Sequence, residues 1–175
     1  MAMSLKKIIT IPDPILREKS QDIVNFDNKT KKLMDDMLDT MYAAPGIGLA
    51  AIQIGIAKRV VVIDVSKDQE KSPLFFVNPE IIWKSESKGS YEEGCLSIPN
   101  QFALVERPEK CKVKFLDYNG KESVLEAGGI LSTCIQHEVD HLNGVLFIDH
   151  LSKLKKSLIE KKATKQKKEQ ERIVV

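Results

Sequence analysis

Apolar residues along the 175-residue chain recur at two spacings, one helical and one alternating. Leu33, Met34, Met37, Leu38 and Met41 fall three and four apart, which predicts a helix with one buried stripe. Asn28-Lys29-Thr30 offers it capping side chains, and Pro45-Gly46-Ile47-Gly48 breaks it. Ahead of it, Ile8–Ile11 is a β-branched run closed by Pro12 and Pro14, an edge strand or an extended lead-in. Arg59–Val65 predicts a strong strand. Residues 75–79 and 80–83 predict two short strands with a turn near Asn78-Pro79, followed by a polar surface loop from Ser85 to Ser90. Cys111, Val113 and Phe115 alternate with Lys112 and Lys114, a strand with one wet face. Asp117-Tyr118-Asn119-Gly120-Lys121 reads as its hairpin turn and Ser123–Glu126 as the return strand. A last helix starts near Leu151. Leu154, Leu158 and Ile159 give it an apolar face for barely two turns, and beyond Glu160 it is expected to project or fray.

One helical segment carries chemistry. Gly129–Ile135 reads as the first turns of a helix that leads into Gln136-His137-Glu138-Val139-Asp140-His141, with Gly144 as its stop. Residues four apart share a helix face, so His137 and His141 can converge on one metal ion. Glu138, rotated by about 100° from His137, stands where it can reach a water on that ion. With this helix in place the order is helix, antiparallel strands, helix, helix. That predicts an α+β fold: antiparallel sheets packed around a central metal-binding helix, with a C-terminal helix. Neither repeats nor a linker divide residues 1–175, which read as a single catalytic domain whose residues 160–175 form a basic helical tail.

The third ligand is not the histidine that often follows at the next helical interval, because Phe147 stands there. Downstream acids beyond Asp149 lie in the lysine-rich tail. Cys134 shares the face of the two histidines but sits roughly 7.5 Å along the axis from their midpoint, too far for its short side chain. Cys111 belongs to the buried face of its strand. Cys95, in Glu93-Gly94-Cys95-Leu96-Ser97, remains, set where a strand edge can present a thiolate.

Charge and cysteine usage narrow the setting. Three cysteines without paired spacing argue against a disulfide framework and for a reducing compartment. The start of the chain lacks the apolar run of a signal peptide, and no segment approaches the ~20 apolar residues that span a bilayer. The expected location is cytoplasmic. Net charge is +2, but residues 151–175 hold nine basic and three acidic groups, a balance of +6 against −4 elsewhere. Such asymmetry points to an acidic partner or to a solvated helix end.

Three stretches together resemble the motifs of bacterial-type peptide deformylases, iron or zinc metallohydrolases. They are Gly46-Ile47-Gly48-Leu49-Ala50-Ala51-Ile52-Gln53, Glu93-Gly94-Cys95-Leu96-Ser97 and Gln136-His137-Glu138-Val139-Asp140-His141, in matching order and spacing. The resemblance implies metal ligands Cys95, His137 and His141, with Fe2+ the usual ion and Zn2+ or Ni2+ able to replace it. It implies hydrolysis of the N-formyl group from the formylmethionine of new polypeptides, releasing formate. Three protein ligands leave a position for water, and Glu138 is placed to take its proton. The resemblance assigns the oxyanion contacts to the metal, the Leu96 N–H and the Gln53 amide. Gly48 is implied to pair with substrate backbone, and Ile47, Tyr91, Ile130, Thr133 and Cys134 to line the methionine pocket. Phe102, where many relatives have arginine, and Thr133, often aliphatic, bear on substrate preference. Some family members dock their C-terminal helix on the ribosome, which would put Lys161, Lys162, Lys165, Lys167 and Lys168 on RNA phosphates. Two other readings carry different expectations. An endopeptidase of the same metal chemistry needs a carboxylate ligand that is hard to find here. An RNA-binding protein with a structural metal needs a fourth protein ligand.

Overall fold

A computed structural model describes residues 4–67 and 70–173. Residues 1–3, and the last two residues of the expected basic tail, lie outside them. The elements are α1 (Asn28–Ala43), β1 (Gly48–Ala50), β2 (Val60–Ile63), β3 (Leu74–Lys84), β4 (Lys88–Cys95), β5 (Ile98–Pro108), β6 (Lys110–Leu116), β7 (Glu122–Gly128), α2 (Gly129–Leu142) and α3 (Lys153–Ile173). Short 3-10 turns occupy Pro14–Arg17, Ala51–Ile54 and Phe147–His150. One antiparallel sheet runs β1-β2-β3-β6-β7, and β4 pairs with β5 in a second. The α+β architecture with a central helix and a C-terminal helix is the one expected.

Val60–Ile63 is apolar at every position because both of its faces are covered. Val60 and Val62 pack with Met34, Met37 and Met41 of α1, whereas Val61 and Ile63 pack with Ile135, Val139 and Leu142 of α2. The predicted stripe of α1 is therefore core, although its cap lies one residue earlier than expected. Asp27 is still extended, and its carboxylate accepts from the Lys29 and Thr30 N–H groups. A third cluster joins Leu16, Ile98, Val105, Leu146, Phe147, Ile148 and Ala163, tying β5 and the Phe147–His150 turn to α3.

Three local expectations need correction, and one strand had no counterpart in the sequence reading. Residues 74–84 form one strand, not two. Asn78 adopts φ +51°, and its side chain clamps the Ile23 N–H and carbonyl at 2.8 and 2.9 Å, so the predicted turn is a kink with a register shift. The polar loop after it is shorter than read, since Lys88–Ser90 already pair with residues 106–108. Strand β5 escaped the pattern because neither face is uniform: Phe102 and Leu104 are exposed beside Glu106, while Arg107 is buried beside Val105. The C-terminal helix neither leaves the body at Glu160 nor frays there. Ala163 is buried against the third cluster, Lys167 donates to the Thr10 carbonyl at 3.3 Å, and the helix continues to Ile173. Ile8–Ile11 takes the extended lead-in form, with Ile9 N–H donating to the Gln53 carbonyl and Ile11 N–H to that of Ser97. No helix among the described residues is long and apolar enough to cross a membrane.

Candidate active site

Helix α2 is buried almost all round, from Ser132 to Val139 and again at His141 and Leu142, so its polar side chains face protein and not solvent. Its end is fixed by Gly144, which takes φ +73° with its α-carbon against the Arg17 backbone; a side chain there would run into the Arg17 carbonyl. Arg59 adds a second lock by donating to the Leu142 carbonyl and the Asn143 side chain, each at 3.0 Å. His137 and His141 are thereby held with ring centres 5.1 Å apart.

Cys95 comes from the other sheet. The β4–β5 register slips between Gly94 and Cys95, so Cys95 pairs with Ile98 across a tight turn, the kind of irregularity that re-aims a side chain. One ligand-type atom each from Cys95, His137 and His141 lies within 4.8 Å of the others, with the Cys95 sulfur 3.3 Å from His141 Nε2. A thiolate and two imidazoles at this separation suit a four-coordinate divalent ion with one position open. Cys111 is buried on β6 and Cys134 on α2, and neither joins the group.

The surrounding charge also fits a cation. Glu93 accepts from His137 at 2.9 Å, and because a carboxylate only accepts, His137 Nδ1 carries the hydrogen and Nε2 is left for a metal. Arg107 grips Glu93 through two donors at 2.7 and 3.0 Å. Burial would raise the Glu93 carboxyl, but the bonds from His137 and Arg107 outweigh it and hold it low. Burial pulls the imidazole of His141 well below its ordinary value and would do the same to His137, where the contacts with Cys95 and Glu93 reverse the sign. The centre is thus rich in negative groups, the environment a bound cation neutralises.

Glu138 is buried, its Oε2 has no hydrogen-bond partner among the described residues, and burial pushes its carboxyl up to about 7. It abuts Gly48, where a β-carbon would overlap its Oε1, so glycine is what lets strand and carboxylate meet. Gln53 sits on the 3-10 turn beyond β1. Its Oε1 accepts from the Ala50 N–H at 2.9 Å, which turns Nε2 toward Ser97 Oγ at 3.0 Å and the Cys95 sulfur at 3.5 Å.

These groups open onto a cleft of about 470 Å³. Leu96, Ile47, Gly48 and Tyr91 line it from the loops and strands, and Ile130, Thr133 and Cys134 from α2. Every site residue anticipated from sequence except His141, which lies deeper behind the floor, borders this one cleft. Phe102, 64% exposed, stands among its walls. Sequence reasoning gave no role to Glu93, Arg107, Asp140 and His150. Arg107 is the residue that ties them together, a buried arginine that must find acids to pair with, but neither its burial nor its strand shows in the sequence.

An open Cys/His/His group with a buried carboxylate beside it, at the floor of an apolar cleft, describes a metal-dependent hydrolase. Comparison with known proteins narrows the class. Residues 5–157 match the family Polypeptide deformylase. A peptide deformylase of Pelagibacter ubique is 60% identical over 93% of this chain and 95% of its own length, and one of Rhizobium meliloti is 54% identical over 93% and 94%. Among solved structures, a peptide deformylase from Legionella pneumophila superposes with TM-score 0.90 at 43% identity, covering 96% of this chain and 98% of that one. One from Ehrlichia chaffeensis in complex with actinonin superposes with TM-score 0.90 at 41% identity, covering 94% and 98%. The chain belongs to the polypeptide deformylase family. It is therefore a hydrolase of a metalloenzyme family, and the endopeptidase and RNA-binding readings give way.

Proposed function

We propose that residues 1–175 act as one catalytic unit that removes the N-formyl group from N-terminal formylmethionine of newly made polypeptides. Water adds to the formyl carbon, the C–N bond breaks, and formate and a free amine leave. Cys95, His137 and His141 are assigned as ligands to one divalent ion, Fe2+ in the native enzyme with Zn2+ or Ni2+ able to substitute. When bound, such an ion supplies an activated water and polarises the formyl oxygen.

Glu138 takes the proton from the attacking water and delivers it to the departing amine nitrogen. Its buried, unpaired Oε2 and its raised pKa support this assignment. Gln53 Nε2–H, aimed by the Ala50–Oε1 bond, and the Leu96 backbone N–H donate to the oxygen where negative charge develops. Gly48 at the edge strand β1 pairs with the peptide backbone as if receiving another strand. Ile47, Tyr91, Ile130, Thr133 and Cys134 surround the methionine side chain, an assignment supported by their common place on the apolar cleft. The cytoplasm, where formylated chains are made, is the proposed location. Exposed Lys161, Lys162, Lys165 and Lys168 on α3 are proposed to contact ribosomal RNA phosphates, with Lys167 joining them only if it releases Thr10.

The observation that carries the reading is the convergence of Cys95, His137 and His141 beside Glu138 in one cleft. It is tested by incubating the ferrous protein, without air, with a formyl-Met peptide and with the same peptide N-acetylated. Formate release from the first, with the internal bonds of both peptides intact, is expected. Internal cleavage, or no formate, would sink it.

A further inference from the structure

The Phe147–His150 turn touches the metal-binding centre at two points that lie outside the three sequence motifs. The Phe147 ring stacks near His137, with centroids 6.0 Å apart and planes 22° from parallel. At the other end of the turn, His150 Nε2 lies 2.8 Å from Asp140 Oδ2. That same oxygen accepts from Arg107 Nη1 at 2.9 Å. Arg107 directs two further donors, Nε and Nη2, at Glu93, which holds His137 Nδ1. A continuous chain of hydrogen bonds therefore runs from a surface histidine to a ligand imidazole. It passes through β4, β5 and α2, and Asp140 stands next to the second histidine of the group.

We infer that His150 is a positioning residue for the Cys95/His137/His141 centre, acting through Asp140, Arg107 and Glu93. One guanidinium serves two carboxylates here, and Asp140, 25% exposed, is the less enclosed of the two. Without the His150 donor, that carboxylate is free to rotate toward water, and Arg107 loses its third anchor. Glu93 then holds His137 against a looser partner. Partners one step behind a metal ligand fix its ring orientation and its basicity. His150 lies further out still, so its effect is smaller but of the same kind. The turn is built to hold it: Asp149 accepts from the Leu146 N–H at 2.9 Å, pairs with Arg17, and lies 2.8 Å from Lys156 Nζ. The donation needs an N–H at the Nε2 position, not a charge, so glutamine can replace it.

The inference rests on the reading that the three residues hold a metal, and its test uses no substrate. Wild-type, His150→Gln and His150→Ala proteins are loaded with Co2+ and challenged with excess chelator. Cobalt loss and the visible absorption bands are followed, together with thermal unfolding of the metal-free proteins. His150→Ala should release cobalt roughly 3- to 10-fold faster, below the 10- to 100-fold typical of direct partners of a ligand. Its bands should shift while the metal-free unfolding midpoint stays put. His150→Gln should behave as wild type. Equal loss from both variants, or unchanged release and bands in His150→Ala, overturns the inference. A wild-type protein that takes up no cobalt instead overturns the metal reading beneath it.

Discussion

The proposed chemistry turns on Glu138 and Cys95, and the two differ in how they would fail. Glu138 is not one of the three candidate ligands, so Glu138→Ala is expected to keep its metal and lose turnover by about a thousandfold or more, since proton removal and proton delivery vanish together. Metal content and rate, measured on the same preparation, check it; a variant with near wild-type turnover contradicts the assigned role. Cys95→Ser should bind metal far more weakly, whereas Cys111→Ser, buried on β6 away from the centre, should bind it fully. Equal metal loss from the two folded variants contradicts the ligand set. The convergence of these residues was legible in the sequence: His-Glu-x-x-His puts two candidate ligands and a carboxylate together by helical spacing alone, and Cys95, which the structure brings to them, stood out once the other candidates failed. Glu93, Arg107, Asp140 and His150 were not legible as a set. Their contacts span up to 44 residues in sequence, as between Glu93 and His137, and no local period marks them.

Among the elements, the Phe147–His150 turn gains its rigidity from an ion cluster whose pH response has a defined sign. Burial raises the Asp149 carboxyl, but bonds from Arg17, Lys156 and the Leu146 N–H outweigh it and set its pKa at about 2. The folded value lies below the unfolded one, near ~4, so the stabilisation is complete above about pH 4 and disappears as pH falls through about 2. Asp149→Ala should accordingly lower unfolding stability near pH 6 by roughly 2 kcal/mol, with the gap to wild type closing between about pH 4 and pH 2. Denaturant unfolding at several pH values measures this; a gap that is constant with pH refutes the cluster's role. Elements with uniform patterning were easy to read, as α1, β2, the β6–β7 hairpin and α2 show. Strand β5 was missed for a physical reason: it turns apolar Phe102, among the walls of the cleft, and Leu104 outward and buries Arg107, which breaks the usual alternation.

For the molecule as a whole, the basic face of α3 is separable from the catalytic centre only where it stays clear of the core. Ala163 and Lys167 hold the helix to the body, so removing everything beyond Glu160 would strip packing as well as charge. Replacing the exposed Lys161, Lys165 and Lys168 by alanine avoids this. The triple variant should hydrolyse a short formyl-peptide at the wild-type rate and bind ribosomes less tightly. Its binding should also depend less on salt, by about one unit of log–log slope for each phosphate that a lysine no longer neutralises. Cosedimentation equal to wild type at low salt would mean the face is only solvated. The charge asymmetry behind this idea was visible in the sequence, but the packing of Ala163 was not, since a lone alanine in a polar helix gives no apolar stripe.

The most direct test of the central claim is a metal titration of the metal-free protein, with formate release from a formyl-Met peptide as the readout, carried out with Fe2+ in the absence of air. Activity should be absent at the start, rise in proportion to added ion and level off at about one ion per chain, as a single three-ligand centre with an open position requires. Full activity before any metal is added, or a plateau at two ions per chain, would contradict it.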